Sequence, residues 1–506
     1  MISRTDSPRR TRLRACVPAL AIALTLLAGA VGATSLAAQI PSPRPRERRT
    51  PRAGPTRLPD GRPGPGYWQQ QVDYRVDATL LPAAHRLRGS EWITYHNESP
   101  DTLRELYWHL YQNIFRPVKE ARGRARIVGP VPPPTRGMTL LRTQVEGTDV
   151  VPQVDRTLMR TALPFPLLPG AELHLRVDWR YDVPTTEVDL RTGRRGADYG
   201  MAQWYPQIAV YDEHGWDAMP YLGQGEFYLE YGNWDVRLHV PADYVVAATG
   251  TLENPGAVLD PQERQRLAAV SPDSVVRVIP AVARRPLFRR RVARGTTVWH
   301  FTARRVRDFV WAASPTFLWD ATRLHAAAGD SAGALVFAFY HPDERAYWSG
   351  AAALVRRTME LYAARLGPYP YPQVTAVSGP VTGMEYPMLV FGNPGNRFIN
   401  EPARVLVHEL GHQWFPMVVG SNENRYALMD EGFVTFMTAL ALETEFGSDA
   451  SSPGTCRAGC TPCCPRGTSA CSTRPSTCSR RAAGGRSPCS APPIRSRRSC
   501  TMWPRT

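Results

Sequence analysis

His408 and His412, four residues apart, and Glu431, separated from the second histidine by eighteen residues, constrain this chain more than any other feature. Two histidines four apart on a helix lie one turn above each other and project to the same side. With Glu409 beside the first, they make an H-E-x-x-H pattern. It offers two imidazole nitrogens to a zinc ion, and a carboxylate placed to take a proton from a water in zinc's open position. Residues 413–430 give room for a helix end, a loop and the start of a second helix carrying a third ligand. The flanks agree. Asn400-Glu401-Pro402 reads as a helix start, and Pro416 ends that helix after Trp414-Phe415. A second periodic run covers 429–446, with Glu431 in its first turn and Gly447 as its stop. The spacing predicts paired helices holding one zinc ion between His408, His412 and Glu431.

The preceding chain has a different rhythm. Val72, Tyr74, Val76, Ala78 and Leu80 alternate with polar residues, as do Leu173, Leu175, Val177, Trp179 and Tyr181, and Trp234, Val236, Leu238 and Val240. Period two means half-buried strands in antiparallel sheets. Residues 67–327 therefore read as a β-sandwich-like domain. After a small-residue break at 324–334 come a strand (Leu335–Tyr340), a helix from Pro342-Asp343-Glu344 to Gly367-Pro368, a strand (Gln373–Ser378), an extended segment (384–391) and the zinc helices. Residues 328–450 read as the amino-terminal part of an α+β, thermolysin-like catalytic domain. The fold class is multidomain: an antiparallel β-sandwich-like domain, then an incomplete catalytic domain.

The sequence His-Glu-Leu-Gly-His-Gln-Trp-Phe from His408, with Asp430-Glu431-Gly432-Phe433, resembles the aminopeptidase N family of gluzincin metallopeptidases, which includes leukotriene hydrolase. Gly383-Met384-Glu385-Tyr386-Pro387 is similar to that family's exopeptidase motif, with Tyr386 where asparagine is commonest. Ala202-Gln203-Trp204-Tyr205-Pro206 and Glu226-Phe227-Tyr228 resemble its amino-terminal β-domain, so the likeness runs from about 67 to 450. The resemblance implies that Glu385 binds the free α-amine of a peptide. It implies that backbone groups of Gly383 and Met384 hydrogen-bond the substrate as an added strand, and that Gln203 is a second amine ligand. It also implies an oxyanion-stabilising tyrosine well downstream of the third ligand; no tyrosine follows Tyr426.

Charge is informative once divided along the chain. Of the net +16, residues 1–66 carry +9 and residues 451–506 carry +10, leaving 67–450 at −3. The globular part is mildly acidic, so no nucleic-acid partner is expected. Arg9, Arg10, Arg12 and Arg14, the apolar run 17–31 and the small residues Ser35-Leu36-Ala37-Ala38 read as an export signal over 1–38, removed to leave no stable membrane span. The protein is expected to be periplasmic or secreted. Residues 39–66, rich in Pro, Arg and Gly, read as a disordered linker.

Residues 451–506 contain one Ile, one Met, one Trp and no Leu, Val, Phe or Tyr, too little for a core. Eight of the nine cysteines fall there. Cys456, Cys460, Cys463 and Cys464 could bind zinc as thiolates, but their spacing is irregular. The chain has one lysine, Lys119, against sixty arginines among its 61 basic residues, a sign of GC-rich codons. The tail is read as a disordered, out-of-frame segment following a frameshift near 450. Phe433, Phe436, Met437 and Leu440 would then lie uncovered on the second zinc helix.

The reading is a zinc metallopeptidase taking free amino-terminal residues from peptides. Its alternatives are an endopeptidase or epoxide hydrolase on the same scaffold, or a degenerate binding protein without activity.

Overall fold

The computed structural model describes residues 56–117, 134–185, 191–223, 225–280, 295–325, 333–392 and 401–446. The expected export signal, most of the linker, Asn400, Gly447 and the tail lie outside the described residues. No helix among the described residues is long and apolar enough to cross a membrane.

The alternating runs become an eight-stranded sheet. Gln71–Leu81 pairs antiparallel with Arg86–His96, which pairs antiparallel with Glu172–Asp182. Val72, Tyr74, Val76, Ala78 and Leu80 are buried, and the residues between them are not. That is the one-sided burial the alternation dictates. One pairing departs from expectation. Gln71–Leu81 runs parallel to Gly232–Pro241, with Tyr74 opposite Trp234. A parallel partner needs a long crossover, and residues 82–231 supply it. The buried face shares one core with two four-stranded sheets; Trp108, Trp179, Trp204, Trp299 and Trp311 are among its largest members. The linker is also shorter than expected: from residue 56 the chain makes turns, with Thr56 donating to Glu213 (2.7 Å) and Arg57 over the Tyr67 ring (5.0 Å).

A six-stranded sheet carries the candidate site. Its strands are β1 (Val276–Ile279), β2 (Leu318–Arg323), β3 (Leu335–Tyr340), β4 (Gln373–Ser378), β5 (Met384–Tyr386) and β6 (Leu389–Gly392), in the order β1-β2-β3-β4-β6-β5. The boundary expected at 327 falls inside this sheet, since β1 and β2 precede it. β3, β4 and β6 are parallel neighbours, and their near-continuous apolar sequence fits burial on both faces. Phe337 and Phe339 point into the β-domain core. Val336, Ala338 and Tyr340 point into a second core beneath helices α1 (Ala351–Leu366), α2 (Glu401–Gly411) and α3 (Glu431–Phe446). The sheet is thus a wall between two cores.

Three local expectations change. The segment 384–391 is a hairpin, β5 and β6, turning at Met388 in the left-handed region (φ 61°). α2 ends at Gly411 rather than near Pro416, and α3 starts at Glu431 itself. Of the four apolar residues expected to be uncovered on α3, Met437 is buried and Leu440 packs against the second core, whereas Phe433 and Phe436 are exposed.

Candidate metal centre

α2 buries Leu406, Val407 and Leu410 against the second core, and Tyr362 Oη donates to the Val407 carbonyl (2.9 Å). The opposite side carries His408 and His412. Gly411 lets α3 close on it: a Cβ there would lie 2.9 Å from Val434 Cγ1, too near for any other residue without displacement. The first residue of α3, Glu431, is thereby brought against both histidines.

His408 Nε2 lies 3.1 Å from Glu431 Oε2, His412 Nε2 lies 3.3 Å from His408 Nε2, and His412 Nε2 lies 3.9 Å from Glu431 Oε2. The other ring nitrogens fix the tautomers. Thr438 Oγ1 gives its hydrogen to the Val434 carbonyl (2.7 Å), so it can only accept from His408 Nδ1 at 3.2 Å. His412 Nδ1 faces two acceptors, the Phe415 carbonyl (2.8 Å) and Asp430 Oδ1 (2.7 Å). Both Nδ1 atoms therefore carry hydrogen, and both Nε2 lone pairs point at a carboxylate. With both rings neutral, three acceptors converge with no donor among them. That arrangement fits a cation, and two imidazoles with one carboxylate form a zinc donor set.

The electrostatics agree. Burial works against a charged His412, but the hydrogen bond and charge of Asp430, with Glu409 and Glu431, outweigh it and lift the ring to about 9. The His408 contact, foremost, holds Glu431 below the ordinary carboxylate range. Without metal the site collects a proton; with metal the proton leaves.

Asp430 is fully buried and precedes Glu431 in the motif quoted above, where the sequence assigned it no role. It orients His412 as an outer partner orients a ligating imidazole. Asp430→Asn should lower zinc affinity ~10–100-fold while leaving the fold intact. Competition against a zinc-binding dye would show this, and unchanged affinity would remove Asp430 from the assembly.

Glu409 is buried one residue beyond His408, and carboxylate or imidazole atoms of Glu385, Glu409 and His412 lie within 4.8 Å of one another. Burial first, then the charge of Glu385, raises Glu409 well above its usual range, and His412 pulls it back. Glu385 sits on β5, which closes the sheet order and pairs on one side only among the described residues. Burial and the charge of Glu226 push it up, while Arg191 draws it down. Gly383 adopts φ 60°, and its Cβ position would lie 3.7 Å from Glu409 Oε1, so the backbone of Gly383 and Met384 passes beside the centre. Gln413 ties the hairpin to the turn that follows α2: its Nε2 donates to the Tyr386 carbonyl (2.8 Å) and its Oε1 accepts from Met388 N–H (2.9 Å).

Gln203 is held between two protein groups. Its Nε2 donates to Asp308 Oδ2 (3.2 Å) and its Oε1 accepts from Tyr386 Oη (3.0 Å). Both ends of the amide are engaged by protein groups. Gln203 supports Tyr386, the residue next to Glu385, and also lines the cleft that contains Glu385, where its carbonyl oxygen keeps a second lone pair. Four residues were not anticipated: Asp430, Thr438, Arg191 and Glu226. Thr438 carried a signal, since it lies two turns beyond Glu431 on the same helix face; Asp430 and Glu226 stand in the motifs quoted above without an assigned role, and Arg191 carried no signal.

No protein-family model matches the chain, and no curated protein matches it. Among solved structures, an M1 zinc metallopeptidase from Deinococcus radiodurans is 17% identical, with 76% of this chain and 72% of that one covered and a TM-score of 0.46. A mutant of the M1 zinc metallopeptidase from the same organism, bound to a Tyr-Ser-Ala substrate, is 18% identical over 76% and 73%, also with a TM-score of 0.46.

Proposed function

We propose that this chain is a zinc-dependent peptidase that removes residues from free amino ends of peptides. The observation that carries the reading is the convergence of three acceptor atoms, from His408, His412 and Glu431, beside the buried carboxylate of Glu409. Zinc, when bound, supplies a Lewis acid and lowers the pKa of a water to ~7.

The chain's own residues do the rest. His408, His412 and Glu431 would hold the ion, with Thr438 and Asp430 holding the two rings in register. Glu409 would accept the proton of the attacking water and pass it to the leaving amine. The free edge of β5 would align the peptide through backbone groups of Gly383 and Met384. Glu385 would pair with the substrate ammonium, which limits cleavage to the first residue. An incoming ammonium draws the Glu385 carboxyl back towards ionisation. Export, a peptide partner with a free amino end and a frameshift after 450 complete the proposal, on sequence grounds alone.

The test is selectivity. A charge-assisted bond of this kind contributes roughly 1.5–3 kcal/mol. Glu385→Ala should weaken free-amine peptides ~10–150-fold and leave amino-blocked peptides nearly unaffected. Equal losses on both would refute the exopeptidase reading and favour an endopeptidase.

A further inference from the structure

Arg191 lies in the same cleft as Glu385, which poses a problem for amine binding. The cleft is lined by Arg191, Glu226, Phe227, Glu385 and Tyr386, among others. A guanidinium free to approach Glu385 would neutralise it and repel a substrate ammonium. The side chain is restrained on three sides. Nη2 donates to Glu226 Oε1 (2.7 Å) and to the Gly225 carbonyl (3.3 Å), Nη1 donates to Glu226 Oε2, and the guanidinium carbon lies 4.9 Å from the centre of the Phe227 ring. The bond to Glu226 is a two-point fork, the geometry in which arginine is held most firmly. Both partners retain partial exposure, 16% and 18%.

We propose that Glu226 pins Arg191 away from Glu385, and that this pairing sets the selectivity of the site for a free amine. The inference rests on Glu385 being the amine ligand. Arg191 and Glu385 together carry no net charge. With Glu385 ionised by an incoming ammonium, Glu226 makes the three net negative, and Arg307, Asp308 and Glu423, which line the same cleft, add two acidic groups against one cation. Arg191 also remains charged: burial acts against it, but the charge of Glu226 and the hydrogen bonds between them more than compensate. Glu226 is therefore a positioning residue acting through Arg191. Arg191 is a built-in competitor for the amine subsite.

The test uses the zinc-loaded full chain with Glu409→Gln, which leaves the ligand uncleaved, and calorimetric titration with leucine amide and its N-acetylated form. Glu226→Gln should weaken leucine amide at least ~10-fold and leave the acetylated ligand unchanged, because the released Arg191 now pairs with Glu385. Arg191→Gln with Glu226→Gln should restore binding to within ~3-fold of the parent, since competitor and restraint are both gone. Arg191→Gln alone should bind leucine amide as tightly as the parent or more tightly. A double variant as weak as Glu226→Gln would overturn the proposal, as would an unaffected Glu226→Gln or a weakened Arg191→Gln. If Glu226→Gln does not fold, the other two variants decide, since neither leaves a buried arginine unpaired. Glu385→Gln separates the two levels. Retained preference for the free amine in that variant means the amine-ligand reading has failed. Lost preference there with full binding by Glu226→Gln means that only the pinning has failed.

Discussion

His408→Ala and Glu431→Ala should each leave the chain without stoichiometric zinc after dialysis against a mild chelator, while the parent keeps one ion per molecule. The expected loss exceeds ~100-fold in affinity, more than removal of an outer partner costs. Both side chains suit the test because neither is deep in a core: the His408 side chain is 23% exposed and that of Glu431 is 45% exposed. Truncation there removes a donor without opening a cavity, so a melting temperature close to that of the metal-free parent should accompany the loss. His412 is a poorer probe, with a side chain 1% exposed between Asp430 and the second core. Stoichiometric zinc in either variant would break the ligand assignment.

Glu409→Gln should separate binding from turnover. The amide keeps the shape of the carboxylate but cannot accept the proton, so hydrolysis of an aminoacyl anilide should fall by ~10²–10⁴-fold with zinc retained. The substitution also removes one charge from a crowded group: Glu385 raises Glu409, and Glu409 in turn favours the charged form of His412. The folded protein should therefore be no less stable than the parent. Unchanged kcat would remove Glu409 from the proton path, and loss of zinc would mean that it is a ligand.

The convergence of His408, His412 and Glu431 was legible because the spacing that produces it is local. A four-residue spacing and a following helix start are properties of backbone geometry, and the structure places Glu431 at the first position of α3. Alternation likewise gave the buried faces of Gln71–Leu81 and Glu172–Asp182, since period two has one consequence in a strand with one solvated face. What escaped was long-range. The sequence marks neither the parallel pairing of Gln71–Leu81 with Gly232–Pro241 nor the sheet that joins β1 and β2 to β3, because partner choice follows from the packing of the whole chain. Arg191, Glu226 and Glu385 meet from three distant segments. Gln203 stands in a conspicuous motif, but its supporting hydrogen bonds to Asp308 and Tyr386 depend on distant partners that the motif does not name.

The most direct test of the central claim is the zinc K-edge absorption fine structure of the zinc-loaded chain. Two imidazoles and Glu431 predict a shell of nitrogen and oxygen at ~2.0–2.2 Å, with imidazole outer-shell scattering and no sulfur. His408→Ala should reduce the imidazole contribution or abolish binding. A sulfur shell at ~2.3 Å would place the ion on cysteines of the carboxy-terminal tail and contradict the account.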